Sequence, residues 1–129
     1  MNTAPHNGDI FTLCNVIRQT SFDIHHFLRS GHREYIYENA LIHRLAKKGI
    51  KAEQQPRIPV FDEDGTLLGR LKADLFVEKQ LICEIKSVRK LVDEHTAQLL
   101  GYLRASRIEH GLLINFGAPR LEIKKYILT

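Results

Sequence analysis

Between Asp9 and Leu28 the apolar residues Ile10, Leu13, Val16, Ile17, Ile24, Phe27 and Leu28 recur mostly at three- and four-residue steps, the spacing of a helix with one buried stripe. Gly31 is the expected stop of that helix. A second helix is predicted from about His32 to Lys48, with Ile36, Tyr37, Ala40, Leu41 and Leu45 inward and Gly49 closing it. Beyond Gly49 the period shortens. Gln54–Phe61, Thr66–Val77 and Leu81–Val88 are β-branched and apolar segments separated by turn chemistry such as Asp64-Gly65, and they predict three consecutive antiparallel strands. Pro56 and Pro59 push the first of these toward a sheet edge, because proline cannot donate to a ladder. Asp93 to Ser106 turns helical again, with Leu99, Leu100 and Leu103 available to pack; Gly111–Phe116 and Leu121–Leu128 then predict two further strands.

The resulting order, α, α, β, β, β, α, β, β, implies an α/β (α+β) fold in which a mixed central sheet is flanked by helices. A crossover through the third helix allows its two flanking strands to run parallel. No repeat or low-complexity segment interrupts the chain, so residues 1–129 are expected to form one domain, with residues 1–8 flexible.

Chemistry concentrates in the hairpin GRLKADLFVEKQLICEIKSV. Along its first strand Leu71, Ala73, Leu75 and Val77 share one face while Arg70, Lys72, Asp74 and Phe76 share the other, because side chains alternate. Along its second strand Leu81, Cys83 and Ile85 share the apolar face, leaving Ile82, Glu84 and Lys86 opposite. Folding the hairpin about Lys79 pairs Val77 with Leu81 and, by the same symmetry, Asp74 with Glu84, with Cβ atoms roughly 5 Å apart. Two carboxylates that close repel and raise each other's pKa unless a cation holds them. A divalent ion is the economical answer: Mg2+ takes hard oxygen ligands and needs only one or two protein carboxylates beside water and phosphate. Lys86 lands on the same face, where an ammonium can orient or deprotonate a water and offset charge on a phosphate.

Composition adds a modest bias. Nineteen Lys and Arg against 15 Asp and Glu give +4, with seven histidines and a pI of 9.2, compatible with a polyanionic partner without establishing one. Arg70 and Lys72, expected on the face of Asp74, are the best candidates to steer such a partner. No apolar run approaches the roughly 20 residues of a membrane span, and Met1 to Gly8 lacks the pattern of a signal peptide. Cys14 and Cys83 have no metal-ligand spacing and suit a reducing cytoplasm.

Four segments resemble a known family. GHREYIYENAL (Gly31–Leu41) is similar to the GxxExxYxxAL signature of the GxxExxY proteins, a bacterial branch of the PD-(D/E)XK nuclease superfamily. ADLFVEKQLICEIKSV resembles that family's Asp-then-ExK hairpin, HTAQLLGYLRAS its HxAQxxxYL helix, and GLLINFGAP its GLLINF strand, all in the family's order. The resemblance implies a restriction-endonuclease-like core and a Mg2+- or Mn2+-dependent nuclease acting on nucleic acid, most readily DNA. It implies further that Glu34 is the acid of the first motif, that Asp74, Glu84, the Ile85 backbone carbonyl and Glu34 serve the metal, and that Lys86 is the catalytic lysine. The same resemblance implies that Gln98 joins the catalytic set in support of the site, and that Gln98 and Tyr102 help order the lysine or contact nucleic acid.

Plainer readings stand beside these. Glu38 lies one turn from Glu34, and only the spacing from Gly31 selects Glu34. Gln98 can be a buried amide bonded to backbone, Tyr102 a core aromatic, and His95 a helix cap. Two alternatives to an enzyme follow: a non-catalytic nucleic-acid-binding module that keeps the fold, and a protein-interaction subunit of a larger assembly. A homodimer is compatible with either.

Overall fold

A computed structural model describes residues 9–128; the expectation for residues 1–8 lies outside the described residues. Asp9 caps helix α1 (Ile10–Leu28), its carboxylate accepting the backbone N–H groups of Phe11 and Thr12 and the Thr12 hydroxyl. The helix ends before Gly31. Arg29 takes a left-handed φ of 63° and donates its N–H to the His25 carbonyl, so the stop is an arginine and Gly31 belongs to the connecting loop. Helix α2 (Glu34–Lys47) starts two residues later than expected, and Gly49, at φ 76°, turns the chain out of it.

Seven strands follow: β1 (Ala52–Gln54), β2 (Arg57–Phe61), β3 (Leu67–Lys72), β4 (Leu75–Val77) and β5 (Leu81–Lys86), then, after helix α3 (Asp93–Ser106), β6 (His110–Asn115) and β7 (Glu122–Ile127). Five of them form a mixed sheet in the order β1-β4-β5-β6-β7, antiparallel except for the β5–β6 pair that α3 connects. The element order read from the sequence is therefore present, with β1 at an edge, but two of its strands are each broken in two.

The break has a physical cause. Ala52 to Gln54 pair with Val77 to Leu75, and Arg57 onward pairs with Lys72 backward in the same register, the gap being bridged by a 2.7 Å bond from Gln55 N–H to the Asp74 carbonyl. Gln55 adopts φ 49° immediately before Pro56, a left-handed residue followed by one with no N–H to give. The hairpin bends there, and β2 with β3 leaves the main sheet as a separate two-stranded ribbon. Arg70 and Lys72, expected beside Asp74 along one strand, stand instead on β3 beyond the break, paired with Pro59 and Arg57.

Two apolar layers hold the sheet. Leu75, Val77, Leu81, Cys83, Ile85, Leu112 and Ile114 pack under Leu13 and Ile17 of α1 and Tyr37, Leu41 and Leu45 of α2. Ile82 and Leu113, on the opposite face, pack under Leu99 and Leu103 of α3. The face carrying Ile82, Glu84 and Lys86 is thus roofed by α3 at Ile82, and the remaining two residues stand at its rim. Among the described residues no helix is long and apolar enough to cross a membrane.

Candidate functional site

The β4–β5 turn, Glu78 to Gln80, has left-handed backbone at Glu78 (φ 53°) and Lys79 (φ 58°), the geometry that suits the twist of a tight hairpin. It fixes Val77 opposite Leu81, Phe76 opposite Ile82 and Leu75 opposite Cys83. One step further the two carboxylates interlock. The Asp74 N–H donates to Glu84 Oε2 at 2.8 Å, and the Ile85 N–H donates to Asp74 Oδ2 at 2.8 Å. Each acid is anchored through one oxygen to the opposite strand's backbone. Its other oxygen, Asp74 Oδ1 or Glu84 Oε1, receives no hydrogen bond from the described residues.

Glu84 is only 4% exposed. Burial, and then the charge of Asp74, pushes its carboxyl up to about 8. Burial also raises Asp74, to about 6, against the Ile85 N–H that favours its charged form; Glu38 and then Glu34 push it higher. Lys86 acts on both acids in the opposite sense. Its ammonium donates to Gln98 Oε1 at 3.0 Å, and Gln98 Nε2 donates to the Tyr102 hydroxyl at 3.4 Å. The amide and the phenol lie one turn apart on α3, which places the lysine head where β5 leaves the roof of the sheet. Burial and then Glu84 raise the Tyr102 phenol, setting it among these charges, while its ring packs on the α3 layer. His95 caps: its Nδ1 accepts the Val92 N–H at 3.1 Å.

The two helix glutamates differ. Glu34 is exposed at the start of α2, within electrostatic reach of Asp74. Glu38, passed over on spacing, is 2% exposed, accepts Gln54 Nε2 at 2.9 Å and Gln55 Nε2 at 3.3 Å, and acts on both Asp74 and Glu84. Its sequence signal was available: Glu38 precedes the buried Leu41 and Leu45 at steps of three and seven, and a glutamate on that stripe needs partners. Neither glutamate closes a tight group, for among the described residues no three His, Cys, Asp or Glu side chains converge as a metal would need. The free oxygens of Asp74 and Glu84 remain two hard donors side by side, a set that fits an ion retaining most of its waters.

Behind Lys86 the chain is held by a residue that the sequence did not mark. Asn115, fully buried, accepts the N–H groups of Val88 and Gly117 on Oδ1, both at 3.0 Å, and donates from Nδ2 to Glu122 at 2.8 Å. Glu122 accepts the Leu91 N–H in turn. Gly117 lies so close that a Cβ there would meet the Val88 nitrogen at 2.3 Å. The Ser87 hydroxyl donates to the His32 carbonyl at 2.6 Å, tying the end of β5 to the loop before α2.

Comparison with known proteins agrees with this architecture. The crystal structure of SSO0001 is similar in fold, with a TM-score of 0.56 and 22% sequence identity over 71% of this chain and 48% of that one. The chain thus spans about half the length of that solved protein. No curated protein matches. A model of the PD-(D/E)XK nuclease superfamily, whose nucleases generally use Mg2+ or Mn2+, matches residues 12–126 and so reaches both helical layers and every strand. With one acid just ahead of β4 interlocked with a second on β5 and a lysine two residues beyond the second, the chain belongs to the PD-(D/E)XK nuclease superfamily.

Proposed function

We propose that the protein is a single-domain, metal-dependent deoxyribonuclease of the GxxExxY kind, working in the cytoplasm, where its buried cysteines Cys14 and Cys83 stay reduced. One observation carries the reading. Asp74 and Glu84 are locked together through each other's strands, each with an oxygen to spare, beside an ammonium fixed by an amide.

In this reading Asp74 Oδ1 and Glu84 Oε1 hold Mg2+ or Mn2+. The Ile85 carbonyl joins them, since in a strand it points to the same side as the N–H that Asp74 accepts. Glu34 and Glu38 add negative charge from α2 without closing on the ion. The bound ion supplies a polarised phosphodiester and a more acidic water. Lys86 Nζ, with one direction taken by Gln98, keeps donors to orient the attacking water and to offset charge on the phosphate. Gln98 and Tyr102 act through the position of that lysine. Arg70 and Lys72, exposed on the bent ribbon beyond Asp74, attract the polyanion from a distance.

The test is cleavage of single-stranded, duplex and branched DNA, and of RNA, with Mg2+, by the wild-type chain and by Asp74→Ala and Lys86→Ala. The expected result is cleavage of DNA and a loss of about 10²- to 10⁴-fold in each variant. Undiminished activity in both variants overturns the assignments. Salt-sensitive binding that ignores metal, with no cleavage by the wild type, points instead to a binding module.

A further inference from the structure

A cleft of about 780 Å³ opens between the loop ahead of α2, the segment after Lys86 and the turn between β6 and β7. Its volume lies in the range of ligand sites, about 300–1,000 Å³. Its wall includes Glu34, whose charge acts on Asp74, and Ser87, the residue after Lys86. Two guanidinium groups line it from separate loops, Arg33 before α2 and Arg89 after β5. Both residues are exposed, and among the described residues neither side chain forms an ion pair or a hydrogen bond. Free arginines facing one space present paired donors that match a phosphate. The wall also includes Tyr35, which keeps 56% of its surface exposed although it is aromatic and sits on a helix with a well-filled apolar side.

The walls are braced rather than loose. The Ser87 hydroxyl bonds the His32 carbonyl, the Tyr37 hydroxyl accepts the His32 N–H and donates to the Arg29 carbonyl, and Gly117 abuts the Ser87–Val88 backbone. Arg33 and Arg89 therefore project from segments whose separation is fixed, so a ligand need not order them first.

From this we propose that the cleft is a nucleotide subsite: it takes one unpaired nucleotide next to the scissile bond, the phosphate between Arg33 and Arg89 and the base against Tyr35. The proposal rests on the nuclease reading and adds to it a preference for single-stranded or frayed substrate. A base can lie on an aromatic ring only when it is out of its own duplex stack.

The experiment measures binding apart from hydrolysis. Fluorescence anisotropy of a short fluorescein-labelled oligothymidylate, and of a labelled duplex, is followed in EDTA across a salt series. The full chain is compared with Arg33→Ala/Arg89→Ala, Tyr35→Leu and Tyr35→Phe, with melting curves for each. The double variant is expected to bind the oligothymidylate about tenfold or more weakly, with a shallower salt dependence. Tyr35→Leu should weaken the single strand about tenfold and leave the duplex unchanged, and Tyr35→Phe should restore wild-type binding. Comparing 5′-phosphorylated with 5′-hydroxyl strands separates the sources of the phosphate: a defect confined to the former assigns a terminal monoester, an equal defect an internal diester. Unchanged single-strand affinity in the double variant and in Tyr35→Leu, at unchanged melting temperature, overturns the subsite even if the wild type cleaves DNA. Failure of the wild type to bind either nucleic acid in EDTA overturns the subsite alone, whereas the nuclease reading stands or falls on the cleavage assay with Mg2+.

Discussion

Replacing Glu84 by glutamine should stabilise the metal-free protein, and the size of the effect follows from where the carboxyl sits. Its pKa rises from 4.5 to about 8 because it is buried and because Asp74, which ionises first at about 6, is charged beside it. A carboxyl whose pKa is raised on folding keeps in the folded state a proton that the unfolded chain has lost. Stability is then fully present below about pH 4.5, falls as pH rises toward 8, and levels off above. At about 1.36 kcal/mol per unit of pKa, holding Glu84 charged costs on the order of 3–5 kcal/mol above pH 8. Glutamine removes the charge and retains an oxygen to accept the Asp74 N–H. Urea denaturation in EDTA at intervals from pH 5 to 9 should therefore show the variant gaining steadily on the wild type, by about 3 kcal/mol or more at pH 8.5, with the curves converging near pH 5. Added Mn2+ should narrow the gap at high pH by stabilising only the wild type. Parallel pH profiles for the two proteins would refute the reasoning, because Glu84 would then not be the charge that folding confines.

Mn2+ affinity, followed by titration calorimetry, should rise toward tenfold per pH unit between about 6 and 8, with proton release visible as a buffer-dependent enthalpy; a flat profile contradicts it. Glu38→Gln should lower the pKa of both Asp74 and Glu84 in metal-free protein, read by carboxyl NMR titration, since the Glu38 charge raises both; unmoved titrations would show that α2 does not act on the site. Gly117→Ala should cost about 1–3 kcal/mol in denaturation and reduce cleavage, because its methyl must displace the Val88 backbone just behind Lys86; wild-type stability and activity would contradict that packing.

Why some of this was legible beforehand is visible in particular residues. The Asp74–Glu84 pairing could be read because the apolar strands Leu75–Val77 and Leu81–Ile85 flank a short polar turn, and folding about that turn leaves one register. The bend at Gln55 could not be read so easily. Alternation continues across it from Arg70 to Leu75, and the left-handed position is filled by glutamine rather than by the glycine or asparagine that marks such geometry. Only Pro56 hinted at it. The same substitution of side-chain type hid the end of α1, where Arg29 takes a positive φ two residues ahead of Gly31 and stops the helix first. Glu38 was passed over for another reason: spacing from Gly31 selected Glu34, although the step from Glu38 to Leu41 and Leu45 already placed Glu38 on the buried stripe. Asn115 lies in the GLLINF segment but its role was not legible there, since its partners Val88 and Glu122 are brought to it only by the parallel pairing of β5 with β6 and the return along β7.

The most direct examination of the central claim is anomalous diffraction from a crystal of the wild-type protein soaked in Mn2+ near pH 8, with Asp74→Asn soaked alongside. The account predicts one peak between Asp74 Oδ1 and Glu84 Oε1, about 2.1 Å from each oxygen, present in the wild type and absent from the variant. An ion bound elsewhere, or two acids that stay locked together without metal at saturating Mn2+, would contradict it.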